Sequence, residues 1–361
     1  SDINIAEIKK VNVAKNVPYI LQTMPSVVAF SEDGSGVGNT SFRVRGTDAT
    51  RINVTLNGMP LNNPESQEVF WVNIPDVSNS LQSIQLQRGV GTSTNGAASF
   101  GASLSMQTIN AKPKAYLDAS SALGSYGTFV NSVALGTGIL KNGLSFDARY
   151  SKIDGDGYIR NGKVDRTSIF AGLSYYKEDE VIKLNYIKGI QHTGITWEGV
   201  SPDSMAVDRK YNPAGEYKDA NGKRQYYDNE TDNYYSDIVQ FSRSKQISSN
   251  LVFNTSLSYN HGYGYYENYK TGRGFGSEFG LPNQIVDGVE YKKSDVIRRK
   301  LMKNDFYVGS ALLAYQKDKL NLTGGGMFNA YYGDHYGHLL WAKYNQNIPQ
   351  NYEWYYNSSV K

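Results

Sequence analysis

The lengths of the connections between strand-like segments constrain this chain more than any other feature. From about Ala115 onward, about ten β-type segments recur, near 115–123, 127–138, 144–153, 166–176, 181–191, 233–244, 249–262, 304–316, 320–332 and 353–361. Tight connections fall around Lys141–Asn142, Lys177–Glu180, Lys245–Ser248 and Lys317–Lys319. Long ones fall at Asp154–Asp165, His192–Asp232, Tyr263–Asn304 and Gly333–Tyr352. After the first hairpin, short and long alternate strictly. Successive connections of an up-and-down barrel lie at opposite ends, so this alternation gathers tight turns at one end and long loops at the other, as in membrane-spanning barrels. A Greek-key sandwich has no reason to sort its loops this way. Two structureless loops of roughly 40 residues would also be out of place in an ordinary compact domain.

Within the segments, side chains alternate with period two. Leu144, Phe146, Ala148 and Tyr150 share one face, and Ser145, Asp147, Arg149 and Ser151 the other. Leu251, Phe253, Thr255, Leu257 and Tyr259 interleave with Val252, Asn254, Ser256, Ser258 and Asn260 in the same way. Alternation alone fits a soluble sandwich as well as a barrel. Composition adds to the argument. The chain has 29 Tyr against 13 Phe and 4 Trp, an excess that suits a water–lipid or ligand-facing surface better than a dry core. Mean hydropathy is −0.51 and no run approaches the about 18 apolar residues of a membrane helix, which excludes such a helix but not a barrel. A net charge of +3 is too weak to imply nucleic acid, and the absence of cysteine removes disulfides and thiolate chemistry. No apolar leader segment is visible in Ser1–Lys10.

Residues 1–112 have a different texture and read as a small α+β domain, with residues 113–361 forming the strand series. A short helix is expected in Val17–Met24 around Pro18, and a hairpin at Asn57-Gly58, where both residues tolerate positive φ. Four segments stand out. They are Phe42-Arg43-Val44-Arg45-Gly46-Thr47, Ile52-Asn53-Val54-Thr55-Leu56-Asn57-Gly58-Met59-Pro60, Ile84-Gln85-Leu86-Gln87-Arg88-Gly89-Val90-Gly91, and Asn95-Gly96-Ala97-Ala98-Ser99-Phe100-Gly101-Ala102-Ser103-Leu104.

In order and spacing these segments closely resemble the plug of TonB-dependent outer-membrane receptors, with wording nearest to Bacteroidetes-type receptors. Three positions depart from the family pattern: Asn57 for Asp, Val90 for Pro and Ser105 for Asn. The resemblance continues through Asp154–Tyr158, Tyr211–Gly215, Tyr265–Lys270 and Gly333–Gly337. It implies a mainly β chain: a transmembrane antiparallel barrel, about ten strands of a larger one, with the N-terminal α+β plug in its lumen. Plugged transporters have about 22 strands, so the chain is expected to be incomplete, and no energy-coupling box is found before Ile3.

By the same resemblance, Arg45 and Arg88 would anchor the plug to barrel carboxylates, because a buried arginine needs a partner. The loops Ser31–Asn39 and Asn62–Trp71 would point outward, making Glu65, Gln67, Glu68, Phe70 and Trp71 the plug-side ligand contacts. Phe70 and Trp71 could equally pack against the wall. Tyr226 and Tyr269, placed mid-loop, are contact candidates, whereas tyrosines at strand ends suit an interfacial girdle. The implied function is active import of a scarce nutrient, an iron chelate first and cobalamin second. The implied partners are a TonB-type coupling protein, outer-membrane lipid, the small ligand itself and optionally a surface lipoprotein, with no nucleic acid.

Other chemistry finds little support. No cofactor and no metal site is expected. His335 and His338 form an H-x-x-H pair suited to a helix rather than a strand, with no third ligand. Asp154-Gly155-Asp156-Gly157 lacks the later ligands of a calcium loop. Four scattered histidines and no G-x-S-x-G argue against a barrel enzyme. A passive surface-binding protein stays open as the alternative class.

Overall fold

A computed structural model describes residues 2–11, 15–90 and 100–361. The N-terminal domain contains β1 (Asp2–Asn4), α1 (Ile5–Val11), α2 (Val17–Leu21), β2 (Val27–Ser31), β3 (Thr40–Val44), β4 (Ile52–Leu56), β5 (Met59–Pro60), β6 (Leu81–Arg88) and β7 (Ala102–Thr108). Five strands form a mixed sheet in the order β1-β6-β7-β4-β5, with β4 and β7 parallel, while β2 and β3 pair separately. Ile52, Val54 and Leu56 of β4, with Ile84, Leu86, Leu104 and Met106, supply its core. The expected hairpin forms: Asn57 and Gly58 have φ of +53° and +79°, and Leu56 pairs with Met59. Gly91 and residues 95–99, part of two of the sequence segments noted above, lie outside the described residues.

Ten further strands form one antiparallel sheet in chain order. They are β8 (Tyr116–Leu123), β9 (Phe129–Gly136), β10 (Leu144–Gly155), β11 (Val164–Lys177), β12 (Glu180–Gly194), then, after α3 (Pro202–Val207) and the loop hairpin β13 (Glu216–Lys218) and β14 (Arg224–Tyr226), β15 (Thr231–Ser248) and β16 (Leu251–Gly274). Beyond α4 (Phe275–Phe279) and a second loop hairpin, β17 (Gln284–Val286) and β18 (Val289–Tyr291), come β19 (Lys293–Lys317), β20 (Leu320–Ala342) and β21 (Tyr352–Val360). The sheet is open, with β8 and β21 as its edges. Connections 178–179, 249–250 and 318–319 are tight and share one end. Connections 156–163, 195–230, 275–292 and 343–351 share the other.

All ten strands form where the sequence placed them, but two of the expected long loops are largely strand. Strands β16, β19 and β20 run to 24, 25 and 23 residues, taking in much of Tyr263–Asn304 and Gly333–Tyr352. Tyrosine alternating with glycine carries the pattern there. At Gly262 and Gly264 an added Cβ would lie 1.9 and 2.3 Å from the Tyr234 side chain, so these glycines make room for that ring. What remains of the loops is ordered by a second small core of Phe275, Phe279, Val296 and Leu339.

The two faces of the large sheet invert the rule for water-soluble proteins. Leu144, Phe146 and Tyr150 are at least 37% exposed, whereas Ser145, Asp147, Arg149 and Ser151 are at most 4% exposed. The exposed face is the apolar one, as in a wall facing lipid. The polar face packs on the N-terminal domain, whose core it extends with Phe170, Ile187 and Ile238.

Two buried arginines of the sheet dominate that contact. Arg149 donates to Asp76 Oδ2 (2.8 Å), the Asp76 carbonyl (3.1 Å) and Ser80 Oγ (2.9 Å), with both charged side chains at most 3% exposed. Ser151 Oγ donates to the same carboxylate. Arg166, fully buried, donates to Asn16 Oδ1 (2.9 Å), the Val37 carbonyl and the Val72 carbonyl (3.1 Å), gathering three separate segments around one guanidinium. Nearer the tight turns, Asn57 Nδ2 donates to Gln240 Oε1 (2.8 Å) while Asn57 Oδ1 accepts from the Thr108 amide (2.9 Å). The amide thus serves as donor and acceptor at once, which an ionised aspartate in its place could not do.

Removing one member of a buried pair leaves the other charge uncompensated. Asp76→Asn is therefore expected to destabilise docking of the N-terminal domain by about 3–5 kcal/mol. The R149M/D76N double replacement should cost less than the sum of its single changes. Urea unfolding followed by tryptophan fluorescence measures both.

Candidate functional site

On the long-loop side of the N-terminal domain, a crevice opens against the inner face of the sheet. It consists of adjoining cavities of about 370, 210 and 100 Å³ that share Tyr234. Phe30, Glu32, Glu68 and Phe70 come from the N-terminal domain, and Trp197, Asp232, Tyr266 and Met302 from the sheet and its loops. The floor is fixed from below: Ser236 Oγ donates to the Asn73 carbonyl at 2.6 Å, and at Gly189 a Cβ would stand 2.6 Å from that same oxygen. Only a strand residue without a side chain allows this approach.

The loop that carries Glu65–Phe70 is braced by two asparagines. Asn62 Oδ1 accepts from the Val54 amide (2.7 Å), and Asn62 Nδ2 donates to the carbonyls of Ile52 and Gln67 (both 2.9 Å). Asn63 Oδ1 accepts from the amides of Glu65 (2.7 Å) and Ser66 (3.2 Å), an Asx turn. The Glu65 carboxylate accepts from Tyr331 Oη (2.9 Å) and meets His335 Nε2 at 2.8 Å. Burial pushes the Glu65 carboxyl up, but the hydrogen bonds, His335 and Tyr331 among the donors, hold it below the usual range. Desolvation raises Glu32, with Asp33 and Asp232 adding to it, and raises Glu68, with Asp48 adding to it.

Residues 1–103 match the TonB-dependent receptor plug domain family. The chain carries the plug domain of a TonB-dependent receptor. Solved structures of the same fold include the copper transporter OprC (13% identity, TM-score 0.68, covering 99% of this chain and 50% of that one). They also include the ferric-catecholate import receptor Fiu from E. coli K12 (16%, 0.68, 94% and 47%) and BauA, the ferric preacinetobactin receptor from Acinetobacter baumannii (13%, 0.69, 99% and 52%). The chain spans about half the length of these structures. No curated protein matches the sequence. The fold is that of these receptors and transporters, and the large sheet corresponds to a stretch of their barrel wall.

The plug apices place Glu68 at the crevice and Phe70 half exposed at its edge, whereas Glu65 is held by Tyr331 and His335 and lines none of the three cavities. Gln67, at φ +64°, folds its amide back onto the Pro64 carbonyl (2.8 Å). Trp71 takes the packing alternative: it is 2% exposed in the plug core, its ring 6.2 Å from that of Phe42, and it only backs the largest cavity. The anchoring arginines differ from expectation. Arg45 is exposed and Arg88 Nη1 donates to Pro25 within the plug (2.9 Å), whereas Arg149 and Arg166 reach from the wall to the plug. In these two contacts the cation stands on the wall and the acceptors on the plug.

Tyr226 and Tyr269 also differ from ligand-facing loop residues. Tyr226 lies in β14 under the Arg160 guanidinium, 3.6 Å from its ring centre. Tyr269 lies in β16, 8% exposed and stacked on Tyr217 at 4.7 Å. Both order the outer loops. His335 and His338 stand three apart on a strand with separate partners, Glu65 and Glu353, and the described residues contain no metal-ligand cluster. Trp197 and Met302 were not singled out by sequence, since only the fold brings them to the crevice.

Below the stacked tyrosines, Glu230 is fully buried. Its Oε2 accepts from the Tyr269 amide (2.8 Å), and Oε1 has no hydrogen-bond partner among the described residues. Burial pushes its carboxyl up to about 7; Tyr269, Lys270 and Arg160 pull it down and Glu198 adds to the rise. The unfolded chain ionises near about 4.3, so between there and about 7 the fold holds a proton that the unfolded chain has lost, and stability falls as pH rises. Above that window the penalty levels off at about 4 kcal/mol. Glu230→Gln is expected to remove this slope and to protect segment 216–230 at alkaline pH, read by hydrogen–deuterium exchange at stepped pH.

Proposed function

We propose that this chain is part of a transporter that imports a scarce nutrient across the outer membrane of a Gram-negative cell, with an iron chelate as cargo and a TonB-type inner-membrane protein supplying the force. The observation that carries the reading is the crevice between plug apices and wall on the long-loop side. A ligand there rests directly on the element that must move for a path to open. Iron chelates lead because proteins of the same fold include receptors for ferric complexes. A surface lipoprotein would cover the same outer loops.

The outward face supports the membrane placement. Its rows run from Glu180 and Arg243 at one end, through Leu184, Phe241 and Leu257, to a tyrosine row of Tyr186, Tyr259 and Tyr307. Next comes a polar row of Lys188, Asp237, His261 and Asp305. Along β12 this spacing is roughly 20 Å high after strand tilt, near the about 25 Å band of outer-membrane barrels. Leu257→Arg on this face is expected to cost about 2–4 kcal/mol of stability in a bilayer, against little for an inward Ser258→Asn. Refolding into vesicles measures the difference.

The direct test compares host cells with and without the gene on limiting ferric chelate and on limiting cobalamin, using radiolabelled uptake. Uptake lost on deletion, and lost equally when the inner membrane is de-energised, is the expected result for the chelate. Binding without gene-dependent uptake of either compound would replace transport with passive surface binding.

A further inference from the structure

The crevice carries an electrostatic preference, and the inference drawn from it rests on the chelate-import reading. Its largest cavity, about 370 Å³, has aromatic walls in Phe30, Phe70, Trp197 and Tyr266. Three carboxylates line the same cavity: Glu32 from one plug apex, Glu68 from the other, and Asp232 from the wall. Among the described residues no ion pair engages any of the three.

Nearby cations are few or already committed. Lys300 lines only the adjoining cavity. Arg298 is taken by Glu278 and by Asn268 Oδ1 (3.1 Å), and Arg149 and Arg166 are buried in the plug–wall contact. His335 is engaged by Glu65 and His261 by Asp305. Among the described residues, this cavity therefore presents carboxylates without ion-pair partners beside aromatic faces. Like charges at cavity distances repel strongly where water is partly excluded, and aromatic faces attract cations.

We propose that the cargo is a chelate of zero or positive net charge, of the ferric hydroxamate type, rather than a polyanionic catecholate or carboxylate complex. The aromatic walls take the apolar body of the ligand. Glu32, Glu68 and Asp232 accept its hydrogen-bond donors or balance a cationic tail. The raised carboxyls of Glu32 and Glu68 fit this arrangement, since crowded acids without partners are relieved by a cation.

The test uses whole cells carrying the intact receptor and three radiolabelled ferric probes: a linear trihydroxamate with a free terminal amine (net +1), its N-acetylated form (net 0), and a tris-catecholate (net −3). Binding on ice and energised uptake are measured for wild type and for E32Q/E68Q, with surface display confirmed. Both hydroxamates are expected to bind at least about tenfold more tightly than the catecholate. The double variant should weaken the +1 probe, strengthen the −3 probe and leave the neutral one nearly unchanged. Added salt should weaken only the +1 probe. A catecholate bound and imported as well as the hydroxamates would overturn the charge assignment while leaving chelate import standing. Equal response of all three probes to E32Q/E68Q would also overturn it. If no probe is bound or imported, chelate import itself falls, and the charge assignment with it. Should the variant fail to reach the surface, the wild-type probe series still decides.

Discussion

Arg149 and Asp76 meet at 2.8 Å in a layer from which water is excluded, and the placement of the plug on the wall depends on that contact. Taking both charges out of water costs several kcal/mol each, and only close geometry with additional hydrogen bonds offsets this. Here Ser80, Ser151 and Ser168 complete the set around the pair. Asp76 sits at φ +50°, an uncommon conformation for a residue with a side chain, which the surrounding bonds hold in place. Arg166 works differently. Its partners are neutral amide and carbonyl oxygens from Asn16, Val37 and Val72, so it ties three plug segments to one strand without a direct ion pair. The plug is thus held by specific buried polar groups together with the apolar contacts of Phe170, Ile187 and Ile238.

The same polar layer accounts for the inverted sheet. A strand whose inner face carries Ser145, Asp147, Arg149 and Ser151 can hide those groups only against another polar surface. Its outer face of Leu144, Phe146 and Tyr150 then has to meet something apolar. The outward tyrosine row and the hydrogen-bonded row of Lys188–Asp237 (3.0 Å) and His261–Asp305 (2.8 Å) mark where that apolar surrounding ends. Beyond them the strands continue as a tyrosine- and glycine-rich extension that carries the loops over the plug.

That extension makes the crevice. Gly262 and Gly264 yield space to Tyr234, Gly189 yields space to the Asn73 carbonyl, and the loop aromatics Tyr217 and Tyr269 stack on one another. The groups left facing the crevice are carboxylates and aromatic rings from elements far apart in sequence. Its chemistry therefore follows from packing: most cations of the neighbourhood are already spent on holding the plug or the loops, and among the described residues no ion pair engages Glu32 or Glu68.

Sequence alone determined a good deal. Period-two patterning and sorted connection lengths placed ten strands and their up-and-down order, because each strand's faces are written locally in alternate residues. The Asn57-Gly58 turn was legible for the same reason, and the order of the plug motifs pointed to the family. Other features needed the fold. Arg149 read only as one polar residue in an alternating strand, and its partner Asp76 lies 73 positions earlier. Arg45 and Arg88 were expected as anchors from motif position, yet an anchor is defined by what stands opposite, and the wall supplies the cations. Tyr269 read as loop because tyrosine–glycine alternation lacks apolar contrast, and Trp71 read equally as a ligand contact or a packed residue until Phe42 was seen to cover it. Burial, partners and the gathering of Glu32, Glu68 and Asp232 into one cavity are properties of residues distant in the chain, so only the tertiary structure could decide them.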